Sequence, residues 1–221
     1  MSGVEVPGHE SRFLTPHGEA RTVTHRARTP MATLLLSHGA GGGIGTRDLA
    51  ALARSLPRNG ITVVCFEQPW VLAGRKVATP PATLDEGLGA AAARLRSTAP
   101  LVVGGRSAGA RSAARCAGEL GASGCLALAF PLHPPGRPEK SRVEELVDAG
   151  VPTLVVQGER DAFGAPEEFP ADTEMCVIPG GDHGLKVPKK GPVTQEEALE
   201  ILVEATLEWI VREAVGESSG G

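Results

Sequence analysis

Tyrosine is missing from this chain, and only 3% of its 221 residues are aromatic. That scarcity excludes the stacking platforms that single-stranded nucleic acid uses. It also excludes a mechanism that turns on a tyrosine hydroxyl. A formal net charge of −4 leaves no electrostatic footprint for nucleic acid or an anionic membrane. No apolar run approaches the roughly 18 residues of a membrane span. The amino-terminal MSGVEVPGHESRF has no cationic segment followed by an apolar one, so no secretory leader is expected. Cysteine occurs only at Cys65, Cys116, Cys125 and Cys176, with no CxxC spacing. Dispersed thiols in apolar runs are expected as reduced core residues of a cytoplasmic protein, with no zinc and no disulfide framework.

What is present is ordinary for a globular protein: 41% hydrophobic and 22% charged residues. The length suits one core, so a single domain over 1–216 is expected, followed by a disordered tail, ESSGG, at 217–221. Continuous β-rich runs recur at 32–39, 61–69, 100–105, 125–130, 152–158 and 174–180. Such runs suit strands buried on both faces of a parallel sheet. Helical patterns separate them at Thr46–Leu56, Leu84–Leu95 and Ala108–Leu120. A last helix runs to about Val215 after a capping box of Thr194 and Glu197. Alternating elements imply a doubly wound, mostly parallel α/β sheet with helices on both faces. FLTPHGEARTVTHRA alternates polar and apolar residues around His-Gly-Glu, which predicts an antiparallel edge hairpin. No insertion is large enough for a lid domain. The proline-rich stretches Pro69–Pro81 and Pro131–Lys140 read as irregular.

The chemistry gathers at predicted strand ends, where open α/β sheets bind ligands. SHGAGGGIGT, at 37–46, resembles a nucleotide loop, but no frame gives GxGxxG and it holds no lysine for a P-loop. Its glycines suit an oxyanion hole, because bare backbone amides can face a developing charge. Gly105-Arg106-Ser107-Ala108-Gly109 matches G-x-S-x-G between a strand and a helix, the context of a nucleophile elbow. Asp161 follows the strand in LVVQGERDAFG, and His183 follows the last strand in VIPGGDHGLK. Ser, Asp and His thus arrive in that chain order, each after a different strand. Asp182 and Glu159 are competing acids. Asp161 is preferred because its loop follows the strand preceding the one that bears the histidine.

HGAGGG, GGRSAGAR, FPLHPPGRPEK, VQGERDAFG and GGDHGLK together resemble the α/β-hydrolase superfamily, over nearly the whole chain after residue 30. The sequence looks most like the small, lidless branch near dienelactone hydrolases. It also resembles a group of predicted hydrolases that includes a testis-expressed hydrolase-like protein and a subunit of a histone-acetyltransferase complex. The resemblance implies the α/β-hydrolase fold and a triad of Ser107, Asp161 and His183. Dienelactone hydrolases proper use cysteine where this chain has Ser107, so their substrate does not carry over. The expected reaction is hydrolysis of a small ester, thioester or amide through an acyl-enzyme, with no cofactor and no metal. The oxyanion would be held by the amide of Ala108 and a second amide in the glycine loop, at Ala40 or Gly41. His38 reads as structural. His133, Arg137, Arg75 and Arg106 are candidate residues of the pocket mouth. A small-molecule acyl substrate is the expected partner, a homodimer is allowed, and nucleic acid and membrane are not expected. Two rival readings stand: a catalytically silent scaffold that binds a protein partner, and a nucleotide-binding protein.

Overall fold

The computed structural model describes residues 8–75 and 79–216. The expected tail at 217–221 lies outside the described residues. Eight strands form one sheet: β1 His9–Thr15, β2 Gly18–His25, β3 Ala32–Ser37, β4 Ile61–Glu67, β5 Leu101–Arg106, β6 Gly124–Leu128, β7 Thr153–Gly158 and β8 Met175–Ile178. Their spatial order is β1-β2-β4-β3-β5-β6-β7-β8. From β4 through β8 all pairs are parallel, while the β1–β2 hairpin adds to β4 in antiparallel register. This is the doubly wound arrangement that the buried apolar runs predict. β3 and β4 show no exposed residue because helices cover both faces.

Successive side chains on a strand point to opposite faces, and that period of two divides the core. Leu34, Leu36, Val63 and Val156 face α1 (Arg47–Ser55) and α6 (Gln195–Ile210), through Leu49, Leu52, Leu202 and Trp209. Leu35, Val64, Val103 and Val155 face α3 (Pro81–Ala92) and α4 (Ala108–Cys116). There Leu88, Ala110, Ala113 and Ala114 allow close approach. The two remaining helices, α2 (Pro69–Leu72) and α5 (Val143–Val147), are about a turn long. They fall where the sequence offers no helical period, and α2 occupies part of the stretch expected to be irregular.

The boundaries shift for local reasons. α3 starts at Pro81, whose fixed φ suits the first helical position, rather than at Leu84. Its end tightens into i→i+3 bonds from Arg94 to Ala91 and from Leu95 to Ala92. α4 stops at Cys116, short of Leu120, and the chain turns through Gly121 at φ 62°. α6 gives way to a π-type turn over Val211–Val215. Its start is as expected: Thr194 Oγ1 accepts from Glu197 N, and Thr194 N donates to the Glu197 carboxylate. Among the described residues no helix is long and apolar enough to cross a membrane.

All four cysteines are free thiols; three are buried and Cys176 is half-buried. Burial pushes the Cys65 and Cys125 thiols up to about 12, and Cys116 up to about 11. A neutral thiol is a poor nucleophile. Iodoacetamide at neutral pH should therefore leave Cys65, Cys116 and Cys125 intact in the native protein and modify them in urea. Peptide mass mapping reads the difference.

Candidate active site

Ser107 sits between β5 and α4 with φ 54° and ψ −114°, a backbone conformation rarely taken by a residue with a side chain. Two bonds pin it there. Ser107 N donates to Leu128 O on β6 at 2.9 Å, and Arg111 N donates to Ser107 O at 3.1 Å. The flanking glycines are demanded by packing, not by their φ. A β-carbon at Gly109 would lie 2.6 Å from Ser37 O and 2.7 Å from His38 O. One at Gly105 would meet Gly109 O and Ser37 O at 2.7 Å. The helix therefore starts against the end of β3, and Ala108 N–H, first in the helix, has no intrahelical acceptor.

Three loops meet at this turn. Ser107 Oγ lies 2.9 Å from His183 Nε2. His183 Nδ1 lies 2.8 Å from Asp161 Oδ2 and 3.1 Å from Oδ1. The Asp161 side chain is fully buried. It also accepts from Phe163 N at 2.8 Å and from Gln157 Nε2 at 3.0 Å. Gln157 Nε2 further faces Gly164 O and Phe130 O. All three neighbours are acceptors, so this amide must present its NH2 to them. The Phe163 ring stacks on the His183 imidazole with centroids 4.1 Å apart. Sequence reading missed both residues. Gln157 had a signal, as a lone amide inside an apolar strand run; Phe163 had none.

The competing acids are engaged elsewhere. Asp182 Oδ1 accepts from Gly184 N and Lys186 N, which closes the turn that carries His183. Glu159 Oε2 accepts from Gly180 N and ties the end of β7 to the loop after β8. Gly158 lets these loops approach, since a β-carbon there would lie 2.6 Å from Asp182 O.

The glycine loop runs beside the serine: a β-carbon at Gly39 would come within 3.2 Å of Ser107 Cβ. His38 is buried and holds the loop at its base. Its Nε2 accepts from Gln68 N at 3.1 Å, so Nδ1 carries the proton given to Gly39 O at 2.8 Å. Burial lowers its pKa, in keeping with a neutral ring. Ala40 follows as an exposed loop residue.

The expected pocket-mouth residues divide. Gly41 and Arg106 line a hollow of about 540 Å³ with Thr46, Arg47, Asp182 and Lys186. Arg106 is held, however. Its Nη2 donates to His183 O at 2.9 Å, and its Nε meets buried Asp48 at 3.0 Å, off the axis of an aligned hydrogen bond. It thus lines the hollow, as expected, and also positions the His183 loop. His133 is held as well. It is buried, and its ring nitrogens face Pro134 O and the Glu168 carboxylate, which together raise its pKa. Arg75 lines a different hollow, beside His17 and Trp70. Arg137 lies in the turn ahead of Pro138–Lys140. Among the described residues no group of three His, Cys, Asp or Glu side chains could hold a metal ion.

A family model described as an alpha/beta hydrolase domain matches residues 30–211. No curated protein matches by sequence. Solved structures share the fold. A lidless serine hydrolase from Xanthomonas campestris superposes with a TM-score of 0.70 at 20% identity, covering 95% of this chain and 97% of that one. An alpha-beta serine hydrolase homologue from Coxiella burnetii gives 0.71 at 20%, over 89% and 96%. A dienelactone hydrolase from Anabaena variabilis gives 0.71 at 16%, over 95% and 99%.

The close approach of α4 to β3 yields a paired prediction. In Gly109→Ala two backbone carbonyls obstruct the new methyl, and overpacking of this kind costs about 1–3 kcal/mol. Gly41 has nothing within 4 Å of its would-be β-carbon, so Gly41→Ala should leave stability unchanged. Urea denaturation of the two variants measures the contrast.

Proposed function

This chain belongs to the alpha/beta hydrolase domain family, and on that premise we propose that it is a serine hydrolase cleaving a small ester, thioester or amide. One observation carries the reading: His183 stands 2.9 Å from Ser107 Oγ through Nε2 and 2.8 Å from Asp161 through Nδ1. In this reading Ser107 Oγ attacks the acyl carbonyl while His183 Nε2 takes its proton. Asp161 holds the Nδ1–H tautomer and stabilises the imidazolium. The tetrahedral oxyanion is received by Ala108 N–H and by a second amide at Ala40 or Gly41. His183 returns the proton to the leaving group. A water molecule, deprotonated by the same imidazole, then releases the acyl group from Ser107.

The substrate is proposed to be a small acyl compound, because the described chain carries no domain over the nucleophile. The free thiols suit a cytoplasmic setting. Short-chain esters should therefore turn over faster than long-chain triglycerides, without a jump in rate at an oil–water interface. A chain-length series run across the substrate's solubility limit measures both.

A fluorophosphonate probe tests the nucleophile. Wild-type protein should be labelled at Ser107. Ser107→Ala keeps the β-carbon and the fold, and should lose both labelling and turnover. A folded wild-type protein that resists the probe would favour the silent scaffold. For the acid, Asp161→Asn should lower kcat by about 10⁴. Asp182→Asn should cost far less, because an asparagine Oδ1 can still accept the two turn amides. Reversal of the two effects would sink Asp161 and leave Ser107 and His183 standing.

A further inference from the structure

A second polar hollow lies at the other end of the sheet. It has a volume of about 410 Å³ and sits between the β1–β2 hairpin and the segment after α3. Thr33 and Thr62, at the amino ends of β3 and β4, belong to its floor, and Ser97 to its wall. Arg26, Arg94 and Arg96 also line it, and its lining contains no carboxylate. Ser107 lies beyond the opposite end of β5, a strand of six residues that rise about 3.3 Å each.

Three features of this hollow suit an anion. The first is unpaired positive charge. Arg12, Arg21, Arg106, Arg111, Arg115 and Arg212 all meet carboxylates. Arg26 and Arg96 have no hydrogen-bond or ion-pair partner among the described residues, and Arg94 rests on the Phe13 ring. The second is the polarity of the hydroxyls. Thr62 Oγ1 accepts from Ala27 N at 3.1 Å, and Ser97 Oγ accepts from Ala99 N and from the Thr33 hydroxyl. With those acceptor roles filled, the Thr62 and Ser97 protons remain to be donated. The third is concavity: Arg26, Arg94 and Arg96 border a hollow rather than a flat face. Guanidinium forks match the oxygens of phosphate-type anions. The partial negative charge at the end of α3, about half a unit, is outweighed by three cations.

We propose that this hollow binds a small, multiply charged phosphate-type anion of the pyrophosphate class, at a site separate from Ser107. The reading does not depend on the hydrolase assignment.

Calorimetric titration of the full chain with sodium pyrophosphate, at fixed ionic strength because exposed charges are screened by salt, tests it. One pyrophosphate should bind per chain. Arg26→Gln combined with Arg96→Gln should weaken binding at least tenfold without changing the unliganded Tm, since neither side chain gives up a partner among the described residues. Ser107→Ala should bind as wild type does. Amide shifts in the wild-type NMR spectrum should centre on Thr62 and Ser97, which locates the site without any variant. Absence of saturable binding overturns the proposal. So does unchanged affinity in the double variant, or loss of binding in Ser107→Ala with shifts at Gly39. Co-sedimentation with phosphatidylserine vesicles in the absence of pyrophosphate binding would mark a membrane-facing surface and overturn it as well.

Discussion

Helix α4 begins so close to the end of β3 that no side chain fits between them. Gly105 and Gly109 face Ser37 O and His38 O at distances a β-carbon could not tolerate. That contact sets the geometry of everything above it. The chain must leave β5 and enter the helix within one residue, which drives Ser107 to positive φ. Strain of this kind costs about 1–3 kcal/mol and persists only where the surroundings over-determine it. Here they do: the serine amide bonds to β6, its carbonyl opens the helix, and the sheet is buried on both faces. The same contact brings Gly39 against Ser107, so the glycine loop and the Ser107 turn are placed by one packing event.

Each neighbouring loop has its own polar tie. His38 bonds the glycine loop to the amide after β4. Gln157 fastens the Asp161 loop to Phe130 O and Gly164 O. Arg106 binds the His183 carbonyl and neutralises Asp48. Buried hydrogen bonds of this sort contribute only about 1 kcal/mol net each, but a partner left bare costs more than that. They therefore fix position more than they add stability. The proposed proton exchange among Ser107, His183 and Asp161 would need such fixed positions, because it depends on distances near 3 Å.

The strands were legible because burial on both faces writes them as unbroken Val/Leu/Ile runs; the run read at 61–69 contains β4 and overruns its end by two residues, Gln68 and Pro69. That Ser107, Asp161 and His183 meet was legible through strand ends and chain order. Helix ends were less so, since Pro81 and Gly121 act through backbone angles that a periodicity of side chains does not record. Short α2 and α5 contain too little of a period to detect. The ties that hold Arg106 and His133 were not legible, for another reason. Their chemistry suits a ligand, but the carboxylates that hold them, Asp48 and Glu168, lie far away in sequence. The supporting Gln157 and Phe163 depend likewise on contacts that only folding creates.

Ligands of open α/β sheets gather at the carboxyl ends of parallel strands, because loops and helix amino termini converge there. The amino ends are ordinarily bare. The antiparallel hairpin changes this balance. β2 pairs with β4 so that His25 lies opposite Val63 and Arg21 opposite Glu67. Its carboxyl end therefore projects Arg26 over the amino ends of β3 and β4. The segment leaving α3 descends on the same side with Arg94 and Arg96, on its way to the start of β5. Two short basic stretches, 25–28 and 94–96, separated by more than two parallel strands' worth of chain, are thus carried to one hollow by topology alone. The edge hairpin does more than extend the sheet: it sets Arg26 beside the arginines that follow α3, at an end of the fold that a wholly parallel sheet would leave without it.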